Sequence, residues 1–347
     1  MTGQDNERGA FIIAEVGQAS DGSLGILHSY IDALSKTGVD AIKFQTHIAN
    51  AESSPLEPFR INFSYEDDTR QAYWRRMEFT AEQWLEIKSH CETVGLEFLS
   101  TPTCVTALEL LETLGVNRYK IGSGDVANHL LLHKVAETGR QMIISSGLST
   151  HVDIDAAINI ANSTGNNNLV IMQCTSEYPV PPENTGLNLI NDFCDKYKYP
   201  IGLSDHSGTI YPSIAAVALG ATYIETHVVF DRRMFGPDSA SSLTIDETIL
   251  MVDGIRFIET SLQSKYSKSP SADSDRMRDI FGKSLSVRRD MIVGETITIN
   301  DLETTKPTGE GVSAQDYEKV IGRQLLKSLN KWEFLTYDHI ETNKNNG

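Results

Sequence analysis

The chain has 347 residues, a net charge of −17 at pH 7, 40% apolar residues and four cysteines. That length holds one large domain plus a smaller one, the negative charge repels nucleic-acid phosphates, and no apolar run approaches the roughly 20 residues of a bilayer span. Cys91, Cys104, Cys174 and Cys194 lack metal-site or disulfide spacing, and MTGQDNERGA lacks a basic-then-apolar leader, so a cytoplasmic chain with reduced thiols and no nucleic-acid or membrane partner is expected.

From the amino terminus onward, a helical pattern ends in glycine and a short apolar run follows. This occurs at Gly38, Gly95, Gly115, Gly139, Gly165 and Gly220, each read as a left-handed helix cap before a strand. Adding FIIAE and PIGLS predicts eight strands, at 11–15, 41–45, 97–101, 118–122, 141–145, 169–174, 200–204 and 221–227. Between them, Leu27, Ile31 and Leu34 form one apolar helix face, and Trp84, Ile87 and Cys91 another, the latter opened by a Thr80–Gln83 capping box. Strand–helix alternation implies a parallel sheet, and eight units in about 250 residues imply a closed (β/α)8 TIM barrel. A doubly wound sheet is the rival, but no GxGxxG loop follows the first strand. The stretch from His47 to Phe79, rich in aromatics and arginine, is long for a βα loop and reads as a substrate wall or as a flank excursion.

The carboxyl ends of the strands carry Glu15, Lys43 with Gln45, Thr101, Lys120 with Ser123, Ser145, Gln173 with Ser176, Asp205 with His206, and Glu225 with His227. Barrel enzymes place their chemistry at this end. Two imidazoles leaving adjacent buried strands suit a borderline metal with open coordination positions; buried core or capping histidines are the bland alternative, weakened by the polar neighbours Ser204, Asp205 and Ser207.

After Leu262 the segment SKYSKSPSADSDR reads as a polar linker, and beyond it short β-like runs alternate with turns. The expected domains are a barrel at 1–265, a linker at 266–281 and a small β-rich module at 282–347. About 60 residues is marginal for an independent core, so this module is expected to lean on the barrel or on a second subunit.

AIKFQT, FLSTP, YKIGSGD, SSGLST, CTSEYPVPP, GLSDHSGT, the strand ending in His227 and the GPD at 236–238 together resemble the sialic acid synthases, or N-acetylneuraminate synthase-like proteins. These join a phosphoenolpyruvate-condensing barrel to a carboxyl-terminal antifreeze-like (SAF) domain, and the resemblance covers nearly the whole chain. It implies condensation of phosphoenolpyruvate with an N-acetylmannosamine-type amino sugar, giving a nine-carbon 2-keto acid and phosphate. Carried over by motif, His206 and His227 match ligands of a divalent ion, Mn2+ or Mg2+. Thr101, Lys120, Ser123, Ser145, Ser176 and Ser204 match positions that hold phosphoenolpyruvate. Glu15, Lys43, Gln45, Tyr178 and Asp238 match positions lining the sugar or the reacting centre. The resemblance further implies a homodimer in which each SAF domain caps the other subunit's barrel mouth.

This chain departs from the family pattern at Asp125, where a water-orienting glutamate is usual, and at Lys306, where many members place an arginine in the partner's sugar pocket. GQASDGS replaces a commoner GxNHNG, and GPDSASSL lacks a following basic residue. Most departures lie on the sugar side. A diamino-dideoxy hexose, as for legionaminic- or pseudaminic-type acids, is therefore an alternative acceptor. A phosphorylated sugar is another, for which Arg60, Arg70, Arg75 and Arg76 would serve, and a non-catalytic carbohydrate-binding protein is the rival of a different class.

Overall fold

A computed structural model describes residues 9–61, 63–269 and 271–341. The expected domain bounds at residues 1–8 and 342–347, and Pro270 of the expected linker, lie outside the described residues. The chain divides into two compact units, one running to Ser264 and one from Lys265.

The first unit is the expected barrel. Its strands are β1 (Phe11–Glu15), β2 (Ala41–Thr46), β3 (Glu97–Pro102), β4 (Arg118–Ile121), β5 (Gln141–Ser145), β6 (Leu169–Cys174), β7 (Ile201–Asp205) and β8 (Tyr223–Val229). Each pairs in parallel with the next, and β1 pairs with β8 in the register Phe11 to Tyr223 through Glu15 to His227, which closes the ring. The six predicted cap glycines all have positive φ, between 67° and 108°, a conformation that costs glycine no Cβ clash. The Thr80 capping box is formed and opens the helix Ala81–Thr93, whose Trp84, Ile87 and Cys91 are buried with Leu27, Ile31 and Leu34 of the helix Leu24–Leu34.

Side chains two apart on a strand share a face, and this period writes the barrel's interior in layers. Ile13, Ala41, Leu99, Ile143, Val170, Met172 and Tyr223 form an apolar layer. One step toward the carboxyl end, the same strands present Glu15, Lys43, Thr101, Ser145, Cys174 and Glu225, all buried. The core therefore ends and the chemistry begins within a single two-residue step.

The long 47–79 segment is partly helical, at Ala49–Glu52 and Arg70–Met77. It folds around its own cluster of Tyr73, Trp74 and Met77, with Phe59 and Phe63 against them. Among the described residues, no helix is long and apolar enough to cross a membrane.

The second unit pairs Ser284–Val287 with Leu302–Thr305 in antiparallel register. It has its own core, including Leu285, Val287, Met291, Val312, Leu325 and Leu335. The expected linker contains a helix, Ala272–Phe281, capped by Ser271 and Ser274. Its polar first turn, ADSDR, hid it, because serine and aspartate mark loops and helix starts alike.

Candidate active site

The carboxyl ends of the strands surround a cavity of about 640 Å3. Of the residues singled out from sequence, Glu15, Lys43, Gln45, Thr101, Lys120, Ser123, Asp125, Ser145, Ser176, Tyr178, Ser204, His206, His227 and Asp238 all line it. Lys306 belongs to the second unit, where its Nζ lies 4.9 Å from the centre of the Phe281 ring.

The floor is a buried chain of alternating charge. Lys43 Nζ lies 2.5 Å from Glu15 Oε2 and 3.7 Å from Glu225 Oε1, while Lys120 Nζ donates to Glu225 Oε1 at 2.8 Å. Gln45 Nε2 donates to Glu15 at 3.0 Å and Ser204 Oγ to Glu225 at 3.2 Å. Removing one such charge from water alone costs several kcal/mol, so two lysines and two carboxylates persist here by offsetting one another. Burial by itself would raise the Glu225 carboxyl, but Lys120 and Lys43 outweigh it and hold the group at about 2. Burial would likewise lower Lys43, and Glu15 and Glu225 reverse that. Among the described residues, Glu225 Oε2 and the Ser145 hydroxyl are buried with no hydrogen-bond partner. Such groups are costly unless something binds them.

Sequence reasoning placed Glu225 at a strand end but assigned it no role, although it joins both lysines. The available signal was its spacing: two residues before His227 on one strand, it must face the same cavity.

One side of the cavity is a stack. The Tyr178 ring lies 4.3 Å from the His206 ring, and the Arg60 guanidinium lies 4.1 Å from the Tyr178 centroid. The His206 and His227 rings are 5.2 Å apart. His206 Nδ1–H donates to the Thr175 carbonyl at 2.9 Å, which fixes the tautomer and leaves Nε2 as a lone pair. Burial, with His227 nearby, pushes His206 down to about 3 and keeps it neutral. Two facing imidazoles, one of them locked by a backbone carbonyl, fit a borderline divalent ion. Among the described residues, no group of three or more His, Cys, Asp or Glu side chains is arranged around one point, so water and substrate would complete the coordination.

Ser123 Oγ accepts from the Gly147 N–H at 3.0 Å. Gly147 keeps this space open: a Cβ there would run into Ser176 Oγ and sit 2.7 Å from Ser123 Oγ and 2.8 Å from Cys174 Sγ, so these side chains would have to turn away. Asp125 follows Ser123 on a short 3-10 turn, and burial raises its carboxyl above the usual range despite the hydrogen bond from Asn128.

The outer wall comes from the long loop, which supplies His47, Glu52, Glu57, Arg60, Arg70 and Trp74; the wall reading of this segment is the one observed. His47 stacks on Trp74 at 4.0 Å, and Arg70 lies 4.0 Å from the Trp74 ring centre. The four arginines considered for a phosphate separate here. Arg60 pairs with Asp238 at 2.6 Å and Arg70 lies 3.6 Å from Glu57, both on the cavity. Arg75 is instead held by Asn50, and Arg76 by Asp67 and Asp21.

The barrel segment from residue 30 to 267 matches the model of the NeuB family. The chain belongs to the NeuB family. Among characterised members, the N,N'-diacetyllegionaminic acid synthase of Campylobacter jejuni is 30% identical over 93% of this chain and 98% of its own length. The N-acetylneuraminate-9-phosphate synthase of Homo sapiens is 31% identical over 92% of this chain and 89% of its own. Among solved structures, the N-acetylneuraminic acid (sialic acid) synthetase of Leptospira borgpetersenii superposes with a TM-score of 0.68 at 30% identity, covering 78% of this chain and 90% of that one.

Proposed function

We propose that this NeuB-family chain condenses phosphoenolpyruvate with an amino-sugar aldose of the N-acetylmannosamine type, releasing phosphate and a nine-carbon 2-keto acid. The observation that carries this reading is the gathering of two lysines, five hydroxyl side chains (Thr101, Ser123, Ser145, Ser176 and Ser204) and two imidazoles on one cavity. The relatives, which make sialic and legionaminic acids, support it.

Lys120 and the serine hydroxyls hold the phosphate and carboxylate of phosphoenolpyruvate, with the unmatched Ser145 hydroxyl as one donor. His206 and His227 would hold a manganese or magnesium ion, which when bound supplies Lewis acidity toward the sugar aldehyde oxygen. The C3 alkene carbon then attacks the aldehyde carbon, forming the carbon–carbon bond as the C=O π pair moves to oxygen; that oxygen takes a proton from solvent to become a hydroxyl, and positive charge is left at C2. Buried Glu15 and Glu225 offset that charge. Water adds to C2 and passes one proton to Asp125; the C2–O bond to phosphate then breaks while the remaining C2 hydroxyl gives its proton to the departing phosphate, which leaves the 2-keto group. Tyr178 and Asp238 bound the space for the sugar, with Gln45 orienting Glu15.

Arg60 and Arg70 on the cavity favour a second acceptor class, a phosphorylated sugar. The neighbouring Asp238, Glu57 and Glu52 line the same wall and make it a poor anion site, so the uncharged amino sugar ranks first, with a diamino-dideoxy hexose next. We further place the enzyme in the cytoplasm, supported by its four free cysteines, and assign it a homodimer in which Lys306 reaches the other subunit's sugar.

The test is phosphate release from phosphoenolpyruvate with Mn2+ across free and phosphorylated mannosamine-type and diamino-dideoxy sugars, with product masses recorded. Release with one acceptor, giving sugar plus the pyruvate unit, establishes reaction and substrate together. Binding of neither Mn2+ nor phosphoenolpyruvate would leave the carbohydrate-binding homologue as the better reading. For the dimer, sedimentation velocity should give twice the chain mass, and Lys306→Arg should improve turnover of the N-acetylmannosamine-type acceptor.

A further inference from the structure

Outside the barrel mouth, two helices bring a second pair of imidazoles together. His28 lies on the helix Leu24–Leu34 and His90 on the helix Ala81–Thr93, and their Nδ1 atoms are 2.7 Å apart. Each ring's other nitrogen faces a carboxylate from the opposite helix. His90 Nε2–H donates to Asp32 Oδ1 at 3.0 Å, and His28 Nε2 lies 3.2 Å from Glu86 Oε1. The arrangement is reciprocal: Asp32 stands one helical turn after His28, and Glu86 one turn before His90.

The pair can carry its hydrogens in two ways. A hydrogen on each Nε2, facing its carboxylate, leaves two Nδ1 lone pairs pointed at each other. Moving the hydrogen of His28 to Nδ1 lets it donate to the His90 Nδ1 lone pair and leaves His28 Nε2, which makes no hydrogen bond among the described residues, as a lone pair 3.2 Å from the Glu86 carboxylate. Two ring nitrogens facing each other, with a carboxylate beside each ring's outer nitrogen, form a ligand set that a cation between the Nδ1 atoms would complete.

We propose that His28 and His90 form a two-nitrogen site for a divalent first-row transition ion of the zinc, nickel or copper type. Imidazole is the preferred side-chain ligand for these ions, and ligating histidines ordinarily hold their second nitrogen on a carboxylate. Two nitrogens around a tetrahedral zinc stand about 3.3 Å apart, so the Nδ1 atoms, 2.7 Å apart here, need to open by roughly 0.6 Å and the rings to turn until both lone pairs meet at one point. Both side chains are about a quarter exposed, which admits water to the remaining coordination positions. The bound ion would tie the first barrel helix to the helix that precedes β3.

The test uses the full-length, untagged, metal-stripped protein carrying His206→Ala and His227→Ala, so that the barrel imidazoles contribute nothing. Calorimetric titration with Zn2+ alone should show one site, weakened at least tenfold by His90→Gln. Asp32→Asn, at an exposed position that leaves the helix packing intact, should weaken Zn2+ by about tenfold with the metal-free Tm unchanged. Paramagnetic resonance of bound Cu2+ should show two nitrogen couplings, reduced to one by His28→Gln. Zn2+ binding indifferent to these substitutions overturns the proposal. So does an absence of binding, which would mean that the bridging cation is a proton.

Discussion

The floor of the cavity and its outer wall are built differently. The floor consists of side chains on strands, one pleat above an apolar layer, with backbone fixed by the parallel ladder. The wall is carried by the 47–79 segment and the turn at Asp238, whose side chains hold one another through ion pairs and stacking. A strand-borne group cannot move without breaking the barrel's registration, whereas a loop-borne one shifts at little cost to the core. Reaction chemistry common to many acceptors thus belongs on the floor, and acceptor choice on the wall.

The sharpest break of this comparison is Lys120→Ala. It leaves Glu225 buried with only the more distant Lys43, and should cost about 3 kcal/mol of stability in denaturant titration, with phosphate release falling at least 1,000-fold; retained activity would take Lys120 out of the chemistry. Next comes Asp125→Asn, expected to lower kcat by about 100-fold or more with KM for phosphoenolpyruvate little changed. Because burial raises the Asp125 carboxyl, the base is lost as pH falls through that raised pKa. The acid limb of wild-type kcat should therefore sit above the usual carboxylate range and disappear in the variant. Gly147→Ala pushes Ser176, Ser123 and Cys174 from their places and should lower kcat/KM for phosphoenolpyruvate about 100-fold, a misplacement of roughly an ångström. The smallest effect is on the wall. Arg60→Ala should raise KM for the acceptor about tenfold and leave KM for phosphoenolpyruvate within twofold; a change in the latter would erase the division between floor and wall.

Much of the floor is legible in the sequence alone. Glycine caps and apolar runs located all eight strands within a residue or two, and most polar residues at their ends then fell on one cavity because a closed parallel barrel points all carboxyl ends the same way; Gln173 and Asp205, one position off the inward-facing Cys174 and Ser204, do not line it. The wall was not legible in the same way. Arg60, Arg70, Arg75 and Arg76 are chemically equivalent in the sequence, yet two face the cavity and two are held by Asn50, Asp67 and Asp21. The helix at Ala272–Phe281 was hidden by a polar first turn that also reads as a loop.

By itself, the sequence determined the barrel, its order and the strand-borne residues, because secondary-structure period and cap chemistry are local and repeat eight times. Tertiary structure alone decided which residues distant in sequence meet. Lys120 and Glu225 share a proton-donating contact across 105 positions, and His28 and His90 come to 2.7 Å across 62. Such contacts depend on ring closure and on the packing of neighbouring helices, and neither leaves a periodic trace along the chain.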